Sequence, residues 1–301
     1  MRQLQSSWLT WFCCTVIAAI GQSDSFTFGS DPAHLTLSSL LDSPSSNIFI
    51  AAHRGGYEND KVDKAPENSL ANIQNCKRYG YQFFETDIQR TKDGHFVIMH
   101  DATIERETSG VGTVGEMALQ ELKALRKRYR DGSLSSERVA TLEEFLQHSR
   151  GVVVLKADLK PGVSEYFAEI LKLVADQDAL DGIVFRVPYR EANLFEQYQK
   201  KGVSMPESTL MFKVSSKKQI DDIKARFNCS TIEIVLNKMA PTNQRTLDLI
   251  RYATSRGFVV ETHAEGGEDD WRNLIEAGVR IFHARAPSKL KNLLQNRAAP
   301  K

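Results

Sequence analysis

The chain is poor in cysteine, with 4 in 301 residues, and no two of them make a CxxC pair. That lack excludes a thiolate zinc cluster and a small domain stapled by disulfides. An excess of one charge is also missing, because 39 Lys and Arg stand against 38 Asp and Glu, a net charge of +1. Nothing in this balance resembles a surface that grips a phosphate backbone, so nucleic acid is not expected as a partner. There is no internal repeat, no low-complexity tract and no sign of an obligate protein partner. No glycine-rich dinucleotide loop follows the first apolar run of the globular part. What is present is ordinary globular composition, 41% hydrophobic and 26% charged, at a length that suits one large domain.

The most apolar run, Trp8 to Ile20, lies behind Arg2 and is shorter than the roughly 20 residues of a membrane span. Ala19 and Gly21 then stand three and one residues before Gln22. This pattern predicts a signal peptide over residues 1–21 and a secreted or periplasmic protein, with an uncleaved anchor as the alternative. Cys13 and Cys14 would leave with that segment; Cys76 and Cys229 would stay, in a compartment that permits a disulfide. Cys76 follows Leu70 and Ile73 at helical spacing and reads as a buried apolar residue. Residues 22–46, rich in Ser, Asp and Pro, read as an exposed lead-in. The globular domain is expected over residues 47–296.

Short apolar runs alternate with amphipathic stretches over that domain. Nine runs read as strands: 48–52, 83–88, 96–99, 152–157, 183–187, 210–214, 232–236, 258–261 and 280–283. Helical patterns fall between most of them, at 69–79, 141–148, 163–175, 191–200, 217–227, 243–255 and 269–277. Such alternation predicts a parallel α/β fold, a closed (β/α)8 barrel with one strand too many, or else an open doubly wound sheet. The turn Thr91-Lys92-Asp93-Gly94 is too short for a helix, so the second connection is irregular.

Polar residues gather where the first strands end. His53-Arg54-Gly55-Gly56 closes the first, Glu85-Thr86-Asp87 lies in the second, His100-Asp101 ends the third, and the fourth carries Asp158 and Lys160. In a (β/α) barrel such ends converge on one mouth. Glu85 and Asp87, two apart on a strand, share a face and repel each other unless a cation intervenes. Asp158 adds a third oxygen donor, and oxygen-only ligation suits Ca²⁺ or Mg²⁺. His53 and His100 are candidate proton carriers. Arg54 can grip a phosphate with two parallel bonds and Lys160 can add point charge. Any one of these residues alone reads more simply as structural; their joint placement is the signal.

His53-Arg54-Gly55, Pro66-Glu67-Asn68-Ser69, Glu85-x-Asp87, Asp93-Gly94 and His100-Asp101 together resemble the glycerophosphodiester phosphodiesterase family, in order and spacing. Residues 103–110 and Thr141-Leu142-Glu143-Glu144-Phe145 are similar to further family segments. The resemblance covers about residues 48–160 in detail and is architectural beyond. It implies a TIM barrel with a short insertion after the third strand, within residues 102–140. It implies one divalent cation on Glu85, Asp87 and Asp158, with His53 and His100 as acid and base. Arg54 and Lys160 would meet the phosphate, and Glu67 and Asn68 would support the site. The implied reaction is hydrolysis of a small-molecule glycerophosphodiester to glycerol 3-phosphate and an alcohol. The alternatives are a phospholipase D-like action on lipid head groups and a non-catalytic barrel.

Two departures stand out. Asp158 occupies a position where the family usually has Glu; the Asp resembles the related sphingomyelinase D-type phospholipases, which lack the Pro-Glu-Asn motif. Glu261-Thr262-His263-Ala264 and Ala284-Arg285-Ala286-Pro287 replace the usual late strand motifs. Glu261 and His263 are read either as facing the mouth or as satisfied barrel residues.

Overall fold

The structure, a computed structural model, describes residues 27–28, 35–56 and 64–298. The signal-peptide expectation for residues 1–21 lies outside the described residues. In chain order the elements begin with β1 (Thr27–Phe28), α1 (Leu37–Leu41), β2 (Asn47–His53), α2 (Leu70–Tyr79), β3 (Phe83–Arg90) and β4 (Phe96–Ile98). There follow α3 (Leu119–Ala124), β5 (Arg126–Arg128), β6 (Leu134–Arg138), α4 (Leu142–Ser149), β7 (Val154–Leu159), α5 (Phe167–Asp176), β8 (Ile183–Pro188) and α6 (Ala192–Lys200). The chain ends with β9 (Leu210–Val214), α7 (Lys217–Arg226), β10 (Thr231–Ile234), α8 (Gln244–Ser255), β11 (Val259–His263), α9 (Glu268–Ala277), β12 (Val279–Ala284) and α10 (Pro287–Ala298).

Strands β2, β3, β7, β8, β9, β10, β11 and β12 pair in that order, all parallel, and β12 returns to β2. This is the closed eight-stranded (β/α) barrel expected from the alternation, and the open sheet is excluded. The surplus strand is β4. It runs antiparallel to β3, with Ile98 opposite Ile88. The Thr91–Gly94 turn dictates this: a connection of that length allows only a hairpin. His100 and Asp101 therefore reach the mouth from a hairpin partner of β3, not from a barrel stave.

Local chemistry sets the helices. Thr141 caps α4, its hydroxyl accepting from the Glu144 backbone N–H at 3.2 Å, and the Glu144 carboxylate in turn accepts from the Thr141 N–H at 2.9 Å. Gly80 ends α2 with φ 68°, a left-handed turn that costs other residues strain. The insertion carries β5 and β6, paired as an antiparallel hairpin. Its polar sequence gave no alternating apolar signal. The hairpin lies over a small core of its own, in which Val97, Met99, Ile104, Val114, Leu122 and Val139 are all buried. Cys76 and Cys229 are both buried free thiols, so no disulfide joins them.

The strand period of two splits the core. One face of each stave packs outward under the helices, as Ile48, Ile50, Ala52 and Phe84 do. On the inner side Phe49, Phe83, Val154, Val184, Met211 and Ile281 form an apolar floor. Leu35, Leu37 and Leu40 complete that floor. Here the stretch expected to be an exposed lead-in departs from expectation: its last part is a capped helical turn that plugs the barrel. The Ser-rich composition hid three leucines whose burial stabilises the turn. Leu37→Ala and Leu40→Ala should each destabilise the protein by about 2–5 kcal/mol, as buried leucines do. Urea unfolding reads this directly; losses within about 0.5 kcal/mol, typical of surface sites, would show the plug to be ornamental.

Candidate active site at the barrel mouth

Above the apolar floor the inward residues turn polar, and the register of the staves places them in layers. His53 on β2 pairs with Glu85 on β3, and Glu85 with Lys156 on β7. One step higher, Asp87 pairs with Asp158, and Asp158 with Arg186 on β8. Oxygens of Glu85, Asp87 and Asp158 come within 4.8 Å of one another. The three carboxylates expected from spacing are thus brought together.

Each carboxylate is held on one side. A Glu85 oxygen accepts the backbone N–H of Arg54 at 3.0 Å. Asp87 accepts from Asn68 Nδ2 at 2.9 Å and lies 2.7 Å from the Lys160 ammonium. Asp158 Oδ2 accepts from Arg186 Nη1 at 2.5 Å, while its Oδ1 is buried without a hydrogen-bond partner among the described residues. Burial, reinforced by the charges of Asp87 and Asp158, pushes the Glu85 carboxyl well above its usual range. Burial likewise raises Asp158, against the pull of Arg186 and Lys156. An oxygen-only set with an orphaned buried oxygen and two carboxyls that resist ionisation fits a divalent cation. The cluster can hold one.

The two expected phosphate ligands are engaged by carboxylates of the same site. Lys160 lies on Asp87, and Arg54 donates from Nη1 to Glu67 at 3.0 Å, with its Nε 3.8 Å from Asp87. Arg54 and Asn68 both adopt positive φ, 49° and 51°. Non-glycine residues pay for that conformation, and here the folded loop enforces it. The Asn68 N–H donates to the Arg54 carbonyl at 3.1 Å, and Thr86 Oγ1 donates to Asn68 Oδ1 at 3.0 Å. Between them Gly55, at φ 85°, has no room for a side chain, since a Cβ would lie 2.5 Å from the Phe84 ring. Glu67 and Asn68 therefore sit where supporting residues were expected.

His100 Nδ1 lies 2.6 Å from Asp101 Oδ1, and Arg106 clamps the other Asp101 oxygen. Burial works against Asp101, but Arg106 and His100 hold it down at about 2. Arg106 also binds both Glu67 oxygens, at 2.9 and 2.7 Å. Glu107, paired with the fully buried Lys127 at 3.5 Å, accepts the backbone N–H groups of His100 and Asp101 at 3.1 and 2.8 Å. The sequence reading missed Arg106 and Glu107 as site residues, although they stand in the segment similar to the family.

Four more residues escaped it. Lys156, Arg186, Glu233 and His283 fill the barrel with Glu261. The signal was available: Lys156 shares a strand face with Asp158 and Lys160, and Glu233 is a charge inside an apolar run, which demands a partner. Glu261 is a fully buried barrel residue: one oxygen touches Lys156, and Oε2 has no hydrogen-bond partner among the described residues. His263 is partly exposed, 3.6 Å from Glu233, and lines a cleft of about 480 Å³ with Trp271, Arg285 and Lys289. A second cleft of about 510 Å³, lined by Glu67, Arg106, Arg128, Tyr129 and Arg130, opens against the insertion.

Burial, with Arg54 and Arg285 next, lowers the His53 pKa to about 2. His53 thus stays neutral in the folded chain, whereas the unfolded chain binds its proton below about 6.5. Stability from this group is complete above about pH 6.5 and falls as pH drops toward 2, by at most about 1.4 kcal/mol per pH unit. Urea midpoints of metal-free protein should fall between pH 7.5 and 5, and less so in His53→Asn. An NMR titration placing His53 near 6.5 would overturn this.

The sequence pattern of the Glycerophosphoryl diester phosphodiesterase family matches residues 53–282. A glycerophosphodiester phosphodiesterase of Caldanaerobacter subterraneus subsp. tengcongensis is 37% identical over 100 residues, covering 33% of this chain and only 39% of that relative. One from Bacillus subtilis is 26% identical over 258 residues, covering 79% of this chain and 73% of the relative. Among solved structures, a Parabacteroides distasonis glycerophosphoryl diester phosphodiesterase superposes with TM-score 0.71 at 22% identity, over 92% of this chain and 95% of that one. An Oleispira antarctica phosphodiesterase, solved with its product sn-glycerol-3-phosphate, gives TM-score 0.67 at 21% identity, over 82% and 96%. With the pattern matched from the first site histidine to the last barrel strand, this chain belongs to the glycerophosphoryl diester phosphodiesterase family.

Proposed function

We propose that the chain hydrolyses glycerophosphodiesters to glycerol 3-phosphate and an alcohol, with one Ca²⁺ or Mg²⁺ on Glu85, Asp87 and Asp158. The observation that carries this is the convergence of three carboxylates, two histidines and two cations at one barrel mouth, in a chain of this family. Product binding in the Oleispira antarctica structure supports glycerol 3-phosphate as the chemistry such a mouth accommodates.

A divalent cation here supplies Lewis acidity and offsets the phosphoryl charge. The chain's own groups do the rest. Glu85, Asp87 and Asp158 would hold that cation, while Lys160, beside Asp87, and Arg54, braced on Glu67, would offer their N–H groups to the phosphate. His53 is neutral and offers a lone pair, so it takes the proton of the attacking hydroxyl, water or a neighbouring substrate hydroxyl. An anionic diester beside it opposes the fields of Arg54 and Arg285 and raises its basicity. His100, oriented by Asp101 at 2.6 Å from its Nδ1, delivers the proton to the leaving alkoxide. The apolar run from Trp8 to Ile20, read as a signal peptide, supports a secreted or periplasmic enzyme.

The test is release of glycerol 3-phosphate from glycerophosphocholine, with lysophospholipid as the competing substrate, before and after chelation. Asp87→Ala should abolish turnover, and chelation should do so reversibly on adding Ca²⁺ or Mg²⁺. His53→Ala and His100→Ala should each lose about 10²–10⁴-fold in kcat with folding retained. Asp158→Glu, one methylene longer, should still bind cation but turn over more slowly. Full activity with no metal in the protein would sink the metal assignment.

A further inference from the structure

The layer between the apolar floor and the mouth holds a chain of contacts that the proposed reaction leaves unused. Lys156 is fully buried; its ammonium touches Glu261, lies 3.5 Å from Glu233, and lies 3.3 Å from Nδ1 of His283. His283 is itself buried, and its Nε2 faces Glu85 Oε2 at 3.4 Å. Nε2 has no hydrogen-bond partner within bonding geometry among the described residues.

An ammonium has three donors and no acceptor. The imidazole nitrogen facing Lys156 must therefore be the acceptor, and Nδ1 carries no proton. A ring whose Nδ1 accepts from Lys156 holds its single proton on the other nitrogen. Its one proton is then on Nε2, the nitrogen 3.4 Å from Glu85 Oε2. We propose that His283 is a positioning residue: Lys156 fixes its Nε2–H tautomer, and that N–H holds the Glu85 carboxylate so that its other oxygen faces the cation.

The geometry also presents a rival. Ligand atoms of His53, Glu85 and His283 all lie within 4.8 Å of one another in a buried cluster. Two imidazoles and a carboxylate would suit a transition ion. Lys156 decides against it, because a nitrogen that bears a proton has no lone pair to give a metal. The same contact that orients Glu85 thus keeps the centre to oxygen donors. Glu85 Oε2 accepts the Arg54 backbone N–H at 3.0 Å and faces His283 Nε2 at 3.4 Å, which leaves Oε1 for the cation.

This inference rests on the metal-site reading above, so the experiment has a metal-independent arm. Long-range ¹H–¹⁵N spectra of metal-stripped protein at pH 7 should show His283 protonated at Nε2 only, and Lys156→Met should release that preference. Calorimetric titration of the stripped protein with Ca²⁺ and Mg²⁺ forms the second arm. His283→Leu should weaken cation binding about 10–100-fold, the usual effect of losing an outer partner of a ligand. His283→Gln keeps an N–H near the Nε2 position and should stay within a few-fold of wild type; it also serves should the Leu variant not fold. An Nδ1–H tautomer, or unchanged affinity in His283→Leu beside a wild type that binds, overturns the positioning role alone. Zn²⁺ binding far tighter than Ca²⁺, lost equally in Gln and Leu, overturns it in favour of the imidazole site. A wild type that binds no divalent cation while showing the Nε2–H tautomer overturns the metal reading, and the positioning role with it.

Discussion

A closed barrel excludes water from its axis, so every carboxylate that points inward must find a cation or go unionised. This constraint organises the upper half of the molecule. Glu233 is fully enclosed yet held well below its usual pKa, because Lys156 and Arg186 outweigh the cost of burial. Glu261 shares Lys156 with it and is pushed up instead. Farther up, Arg186 bridges Glu233 and Asp158, contacting the former through two nitrogens. By the time the stack reaches Glu85, Asp87 and Asp158, the fixed cations no longer suffice. A mobile divalent ion is the natural remainder, and a phosphodiester brings it company rather than competition.

How much of this was legible beforehand follows from sequence distance. Glu85 and Asp87 share a strand, and period two alone puts them on one face. The barrel was legible for the same reason: each βα unit is local, and its signals repeat. The Lys156–Glu261 contact spans 105 residues between staves on opposite parts of the barrel, and no local pattern announces it. The β5–β6 hairpin was hidden for another reason. Its strands carry Arg, Lys, Ser and Glu, and their pairing is decided by the Ile104–Leu122 satellite core beneath them rather than by their own composition. The antiparallel β4 was seen as a strand but misplaced in the topology, since a run of apolar residues does not state its direction.

The insertion and the staves contribute different kinds of precision. Glu85, Asp87 and Asp158 are carried by strands buried on both sides, which limits them to small displacements. His100 depends on a looser set, with Glu107 gripping its backbone from the insertion and Arg106 joining Asp101 to Glu67. Arg106 is thereby the link between the hairpin side of the mouth and the Arg54 loop. A rigid carboxylate half thus faces a histidine half whose alignment is set by side chains.

The leucine plug fixes the direction from which the chain enters. β1 pairs with the first residues of β2, at Asn47 and Ile48, and Leu35 to Leu40 then close the floor. The polypeptide thus arrives at the pole opposite the mouth. Any label, support or neighbouring domain joined ahead of Thr27 would hold the molecule by its underside, with the catalytic opening turned outward.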